Sequence, residues 1–97
     1  PHVLTPAHGV YATRVQIGEA SYMGVTNVGV RPTVDRSTHV TVETFILDFS
    51  SDLYGQTLRV DFYKRLRAER KFASLDELKT QIQRDMDSTR SFFQKHP

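Results

Sequence analysis

The spacing of apolar residues changes once along this chain, and that change constrains the fold more than any other feature. Before Ser74, apolar and polar side chains alternate in short runs, which is typical of β-strands. After Ser74, apolar residues recur every three or four positions, which indicates an amphipathic helix. Ser74 and Glu77 match a capping box at its start. Because no helical segment separates the strands, an antiparallel sheet is expected rather than a parallel βαβ arrangement.

Four segments rich in β-branched and aromatic residues predict strands. They are Val10–Ile17, Ser21–Val28, His39–Leu47 and Thr57–Tyr63, the last with a possible extension to Leu66. Loop residues fill 29–37 and 48–56, and Gly24 inside the second strand predicts a bulge or a close backbone approach. The helix is predicted over Leu75–Gln94, with Leu75, Leu78, Ile82, Met86 and Phe93 on its apolar face. The predicted fold is mainly β: a small closed antiparallel β-barrel, capped by one long C-terminal α-helix that covers an open end or side.

Length and composition predict one globular domain over residues 1–97. The chain contains no cysteine, which removes disulfides, zinc-thiolate sites and thiol nucleophiles and favours a cytoplasmic address. It has no apolar run of the roughly 20 residues that a membrane helix needs, so no membrane partner is expected. Neither a Gly-x-x-x-x-Gly-Lys-Ser/Thr loop nor a Gly-x-Gly-x-x-Gly loop is present, so a bound nucleotide would not use those cradles.

Basic residues are concentrated in residues 64–71, although the net charge is only +2. This stretch is either a solvated strand end and loop or a site for a phosphorylated ligand. Phe62-Tyr63-Lys64-Arg65 and Arg70-Lys71-Phe72 interleave aromatic and basic residues. Such a pattern on a small barrel could bind single-stranded nucleic acid without catalysis, unless Phe62 and Phe72 belong to the core.

Glu43 is a carboxylate in an otherwise apolar strand. Such a residue lies at a sheet edge, at a cavity mouth or in a buried pair, or else points outward into solvent. Partial desolvation would raise its pKa and suit it to act as a general base. The spacing leaves the catalytic and the solvated interpretations open. The four histidines are scattered and show no metal-ligand spacing.

Five motifs occur in order along the chain: Gly9-Val10-Tyr11-Ala12, Asn27 to Thr33, Val42-Glu43-Thr44, Asp52-Leu53-Tyr54-Gly55 and Leu66 to Phe72. Together they resemble the riboflavin kinase module of bacterial bifunctional riboflavin kinase/FMN adenylyltransferase (FAD synthetase). The resemblance implies a closed β-barrel with a C-terminal helix and transfer of the γ-phosphoryl group of ATP, with Mg²⁺, to riboflavin, giving FMN. It also implies an N-terminal adenylyltransferase module as partner in the parent protein, and no nucleic-acid partner.

The resemblance assigns expected roles to individual residues. It makes Glu43 the catalytic base, which favours the catalytic interpretation of that carboxylate. Nucleotide contacts are expected from Asn27 and Tyr54. Contacts to the flavin are expected from Arg67, Glu69, Phe72 and Asp85.

One family motif, Gly-x-Pro-Thr-Ala-Asn, does not occur in this sequence. In the family its Thr and Asn serve the magnesium ion and the phosphates, and it precedes the Gly-Val-Tyr strand. Pro32-Thr33 is not a substitute, because Val34-Asp35 follows it. The expectation is therefore a kinase domain truncated at its N-terminus, with no metal site in this chain and no turnover by the chain alone.

Overall fold

The computed structural model describes residues 7–32, 34–35 and 37–97, which form four strands followed by one helix. The strands are β1 (Gly9–Ile17), β2 (Ala20–Pro32), β3 (Thr38–Ile46) and β4 (Leu58–Arg67), and the helix is α1 (Leu75–Lys95). All strand pairs are antiparallel. The prediction of a mainly β, antiparallel fold with one long C-terminal helix is confirmed.

The sheet has the strand order β3-β2-β1-β4. β1 and β2 form the central hairpin, while β3 and β4 are the two edges and do not pair with each other in the described part of the chain. The sheet is therefore open there, and the predicted closure into a barrel is not confirmed.

β2 is longer than the sequence predicted, because residues 29–32 continue the strand instead of starting a loop. They remain paired with β3, with Val30 opposite Val40. Gly24 pairs without a bulge and is approached by side chains rather than by backbone: a Cβ atom there would lie 2.7 Å from Thr13 Oγ1.

Helix α1 packs on one face of the sheet, against β1 and β2. The apolar core on this side consists of buried Val10, Val25 and Leu47 with partly buried Met23, Leu66 and Met86. Phe93 is buried as predicted, but Leu75 is exposed. The middle of the buried helix face carries two polar residues, Asp85 and Thr89, which apolar spacing alone could not reveal.

The first turn of α1 confirms Ser74 as the predicted N-cap, but Glu77 reaches one residue further back than a capping box requires. Ser74 Oγ accepts a hydrogen bond of 3.1 Å from the backbone N–H of Glu77. Glu77 in turn accepts one of 2.9 Å from the backbone N–H of Ala73, so two otherwise unpaired donors are satisfied. Among the described residues, no helix combines the length and apolar character needed to cross a membrane.

The centre of the opposite face of the sheet is buried without a helix over it. Thr13, Val15 and Val28 are fully buried there, which requires the sheet to curl around its own side chains. A row of threonine hydroxyls crosses this face: Thr13 Oγ1 lies 3.0 Å from Thr26 Oγ1, which lies 2.9 Å from Thr44 Oγ1. These bonds satisfy polar groups that burial would otherwise leave unpaired.

Candidate functional site

A cleft of about 960 Å³ opens between the helix-side face of β2 and β3, the connection 68–74, and the first half of α1. Its volume lies within the range of roughly 300–1,000 Å³ typical of small-molecule sites. The cleft is lined by Val10, Val25, Asn27, Val30, Arg31, Glu43, Thr44, Phe45, Arg67, Glu69, Arg70, Lys71, Phe72, Leu78, Ile82 and Asp85. Apolar side chains and charged groups of both signs therefore meet in one concave surface.

Strand register brings the polar groups of the cleft together. Asn27 on β2 lies directly opposite Glu43 on β3, so the two side chains lie on the same face. Asn27, Gly29 and Arg31 share that face of β2 because side chains alternate along a strand. The Asn-x-Gly-x-Arg sequence thus places an amide, a gap and a guanidinium in a row.

The carboxylate of Glu69 occupies this row. Glu69 Oε2 accepts hydrogen bonds from Asn27 Nδ2 at 3.2 Å and from Arg31 Nη1 at 3.0 Å. A Cβ atom on Gly29 would overlap Glu69 Oε2, so the missing side chain makes room for the carboxylate. We call Asn27, Gly29 and Arg31 the Glu69 cradle. The hydrogen bond from Arg31 lowers the pKa of Glu69 against the opposing effect of burial, and the Asn27 bond lowers it further.

Arg31 also faces the carboxylate of Glu43. Its Nη2 lies 3.7 Å from Glu43 Oε1, which is an ion-pair contact longer than a hydrogen bond. The Glu43 side chain is 68% exposed. Glu43 therefore lies on an edge strand at the mouth of the cleft. Its apolar neighbours in sequence do not bury it as expected, because they include residues on the opposite face of β3.

Arg67 and Asp85 form a bidentate ion pair between the end of β4 and α1. The Arg67 Nε–Asp85 Oδ1 distance is 2.9 Å and the Nη2–Oδ2 distance is 2.8 Å. Gln81 Nε2 donates a third hydrogen bond to Asp85 Oδ1 at 3.0 Å. Two guanidinium groups approach the ring of Phe72, that of Arg70 at 4.6 Å and that of Arg67 at 5.9 Å from the ring centroid.

The buried side-chain oxygen of Asn27 has no hydrogen-bond partner among the described residues. A buried acceptor left unpaired costs about 1–3 kcal/mol. Asn27 lines the cleft, and a ligand would recover that energy if the amide turned this buried oxygen toward it. In the part of the chain that the structure describes, no group of three or more His, Cys, Asp or Glu side chains is placed to hold a metal ion.

The structure brings together most of the residues that the sequence singled out. Six of them line the cleft: Asn27, Glu43, Arg67, Glu69, Phe72 and Asp85. Tyr54 does not, because it lies in a turn with 94% of its surface exposed. The role expected for Tyr54 in nucleotide binding therefore has no support from its position.

The two segments that interleave aromatic and basic residues lie in different surroundings. Arg70 and Lys71 line the cleft, whereas Phe62 packs edge to face on Tyr11 at 5.2 Å between ring centroids. Phe62 is partly exposed and Phe72 is half-buried, so neither belongs to the fully buried core.

Arg31 is the site residue that sequence reasoning missed. Its signal was available: Asn27 and Arg31 are polar residues four positions apart, which places them on one face if the strand continues. The prediction of a loop after Val28 hid that alternation.

Comparison with known proteins finds relatives that match most of this chain. The family model described as "Flavokinase: Riboflavin kinase" matches residues 1–93. The bifunctional riboflavin kinase/FMN adenylyltransferase of Escherichia coli strain K12 is 46% identical over 91 residues, which are 93% of this chain and 29% of that protein. A Bacillus subtilis protein named RNA-binding riboflavin kinase RibR is 34% identical over 87 residues, 90% of this chain and 38% of that protein.

A solved structure described as a macrolide-efflux protein from Streptococcus pneumoniae superimposes with a TM-score of 0.82 at 37% identity. The match covers 90% of this chain and 28% of that one. The chain thus spans less than a third of the length of the bifunctional relatives it matches first. A noncatalytic nucleic-acid-binding module is not favoured, since even the relative named for RNA binding is named a riboflavin kinase.

Proposed function

The chain belongs to the riboflavin kinase family, and on that premise we propose that it phosphorylates riboflavin. The reaction transfers the γ-phosphoryl group of ATP to the ribityl 5′-hydroxyl, giving FMN and ADP. The observation that carries this proposal is the convergence of Glu43, the Glu69 cradle and the Arg67–Asp85 pair on one cleft.

Glu43 is the proposed general base. As the ribityl oxygen attacks the γ-phosphorus, the O–H proton passes to the Glu43 carboxylate and the bond to the β,γ-bridging oxygen breaks, releasing ADP. Phosphoryl transfer depends on positioning and charge stabilisation more than on covalent chemistry by the protein. A carboxylate at the mouth of the cleft suits this role, because both substrates can reach it.

The flavin is proposed to lie toward the connection 68–74 and the start of α1. There the half-buried ring of Phe72 and the side chain of Ile82 offer apolar surface to a planar ring system. Arg67 is held in place by Asp85, so its remaining donors are positioned before a ligand arrives. Glu69 completes this wall of the cleft, held in its cradle.

ATP is proposed to contact Asn27, which lines the cleft and whose side-chain oxygen has no partner among the described residues. The exposed Tyr54 is proposed as a further nucleotide contact, on the family resemblance alone. The described residues do not form a metal cage. Mg²⁺ is therefore proposed to accompany ATP, since this ion commonly keeps several waters and binds through substrate phosphates.

Three broader features belong to the same proposal. Half-exposed Val40 and Val42 on edge strand β3 continue the curled, buried face of the sheet, which supports its closure into a barrel once a further strand pairs there. An adenylyltransferase module is the proposed partner, since relatives that carry both names are about three times longer. The cysteine-free composition supports a cytoplasmic address.

Substitution of Glu43 tests the function in the full-length protein. FMN formation is followed by chromatography, and riboflavin binding by the quenching of its fluorescence. Glu43→Gln is expected to lower kcat by about 10²–10⁴-fold, the usual contribution of a general base, with riboflavin affinity retained. Glu19→Gln is the matched control, because Glu19 lies exposed in the turn between β1 and β2. Near wild-type turnover by the Glu43 variant, or no FMN from the wild type, would refute the proposal.

A further inference from the structure

We propose that Arg31 is a positioning residue shared between two carboxylates, and that Glu69 in its cradle keeps Arg31 from covering the base Glu43. This inference rests on the proposed function, because it treats Glu43 as the acceptor of the riboflavin proton. It also links the position of the connection 68–74 to the ability of Glu43 to accept that proton.

Arg31 contacts the carboxylates of Glu69 and Glu43 at unequal distances. Its Nη1 donates to Glu69 Oε2 at 3.0 Å, while its Nη2 lies 3.7 Å from Glu43 Oε1. Only the contact with Glu69 is a hydrogen bond. The guanidinium is therefore committed to Glu69, and the oxygens of Glu43 remain open to a substrate hydroxyl.

The cradle favours this division. Asn27 adds a second donor to the Glu69 carboxylate, and Gly29 leaves the space that the carboxylate fills. Glu69 lies two residues beyond the end of β4, within the connection 68–74, so it fastens that connection to β2. Arg67 and Phe72 lie on either side of it in sequence and line the same cleft.

Loss of Glu69 from the cradle changes the partner of Arg31. Among the residues that the structure describes, Glu43 is the other carboxylate within ion-pair distance, and an arginine fork pairs readily with both oxygens of a carboxylate. A guanidinium seated on Glu43 would occupy the positions that the ribityl hydroxyl must reach. Departure of the connection 68–74 would therefore switch the base off, and its docking would switch it on.

A double substitution separates this competition from a structural role. In the full-length protein, Glu69→Gln is expected to lower kcat because it frees Arg31 to cover Glu43. Arg31→Gln combined with Glu69→Gln removes the competing cation, and its kcat is expected to exceed that of Glu69→Gln alone by at least about threefold, within the usual range of coupling between contacting residues. A double variant as slow as Glu69→Gln, or slower, would overturn the proposal.

Hydrogen exchange tests the fastening without requiring activity. In the full-length protein, Arg31→Gln is expected to speed amide exchange in residues 68–72 by at least about threefold, and Arg31→Lys to restore part of the protection. Arg59→Gln is the control, because Arg59 is an exposed residue of β4 outside the cleft. Unchanged exchange in Arg31→Gln would overturn the fastening. A wild-type protein that makes no FMN would instead overturn the proposed function and the catalytic half of this inference.

Discussion

Replacing Arg67 by Gln should destabilise the fold far more than the same change at Arg59 on the same strand. Both arginines pair with an aspartate, Arg67 with Asp85 and Arg59 with Asp61. The side chains of the first pair are 22% and 5% exposed, whereas those of the second are 76% and 39% exposed. The two substitutions therefore compare a largely buried ion pair with an exposed one at constant chemistry.

The expected magnitude follows from what remains after the change. Without Arg67, the Asp85 carboxylate stays buried on α1, and Gln81 is its remaining side-chain donor in the described part of the chain. Removing one partner of a buried pair costs about 3–5 kcal/mol. Because Gln81 is retained and Arg67 is partly solvated, we expect a loss of about 2–4 kcal/mol in the free energy of unfolding. For the exposed Arg59 pair the expectation is about 0–1 kcal/mol.

Urea denaturation followed by circular dichroism measures both values. With a denaturant slope of about 1–3 kcal/mol per molar, Arg67→Gln should lower the midpoint by roughly 1 M or more. A double change, Arg67→Met with Asp85→Leu, should recover at least half of the loss, because it removes the stranded charge as well as its partner. A loss below about 1 kcal/mol in Arg67→Gln, or equal losses at Arg67 and Arg59, would refute the reasoning.

Three further predictions concern the connection 68–74 and the cradle. Riboflavin with ADP should slow amide exchange in residues 67–72, because these residues border the proposed flavin site, and equal exchange in both states would contradict the placement. The pKa of Glu69 is lowered in the folded state, so the stabilisation by its carboxylate is present above pH 4.5, its ordinary pKa, and is lost as the pH falls through the lowered pKa. The difference in unfolding free energy between wild type and Glu69→Gln should therefore shrink in that acid range. A constant difference would count against the cradle. Gly29→Ala should expel the Glu69 carboxylate from its cradle. The free energy of unfolding should change by no more than about 1 kcal/mol, because replacing a glycine within a strand is stabilising and offsets the lost hydrogen bonds. Unaltered amide exchange in residues 68–72 would show that the carboxylate stays.

The elements themselves were accessible from the sequence because each depends on local spacing. The alternation in β3 and the 3.6-residue period of α1 place both within a residue or two of their observed bounds. The capping residue Ser74 fixed the start of α1 for the same reason. Closure of the sheet is a long-range property, and no local pattern reports whether the edge strands β3 and β4 meet.

The errors share a physical origin in contacts between distant segments. Gly29 was interpreted as a loop residue, but its missing side chain serves Glu69, which is 40 positions away in the sequence. Asp85 and Thr89 interrupt the apolar pattern of α1, yet both are buried, and Asp85 owes its place to Arg67 on β4. The family resemblance supplied six of the cleft residues, whereas Arg31 became apparent only when strand register placed it between Glu69 and Glu43.

The row of threonines across the curled face has two proton arrangements in which every bond runs in the same direction. Each hydroxyl carries one hydrogen, and either oxygen of each pair can be the donor. If Thr13 donates to Thr26 and Thr26 donates to Thr44, the hydrogen of Thr44 is free. If the order reverses, Thr44 donates its hydrogen to Thr26 and offers only lone pairs to other groups. Because Thr44 lies on edge strand β3, a concerted rotation of three O–H bonds converts the edge end of this row from donor to acceptor without displacing a single heavy atom.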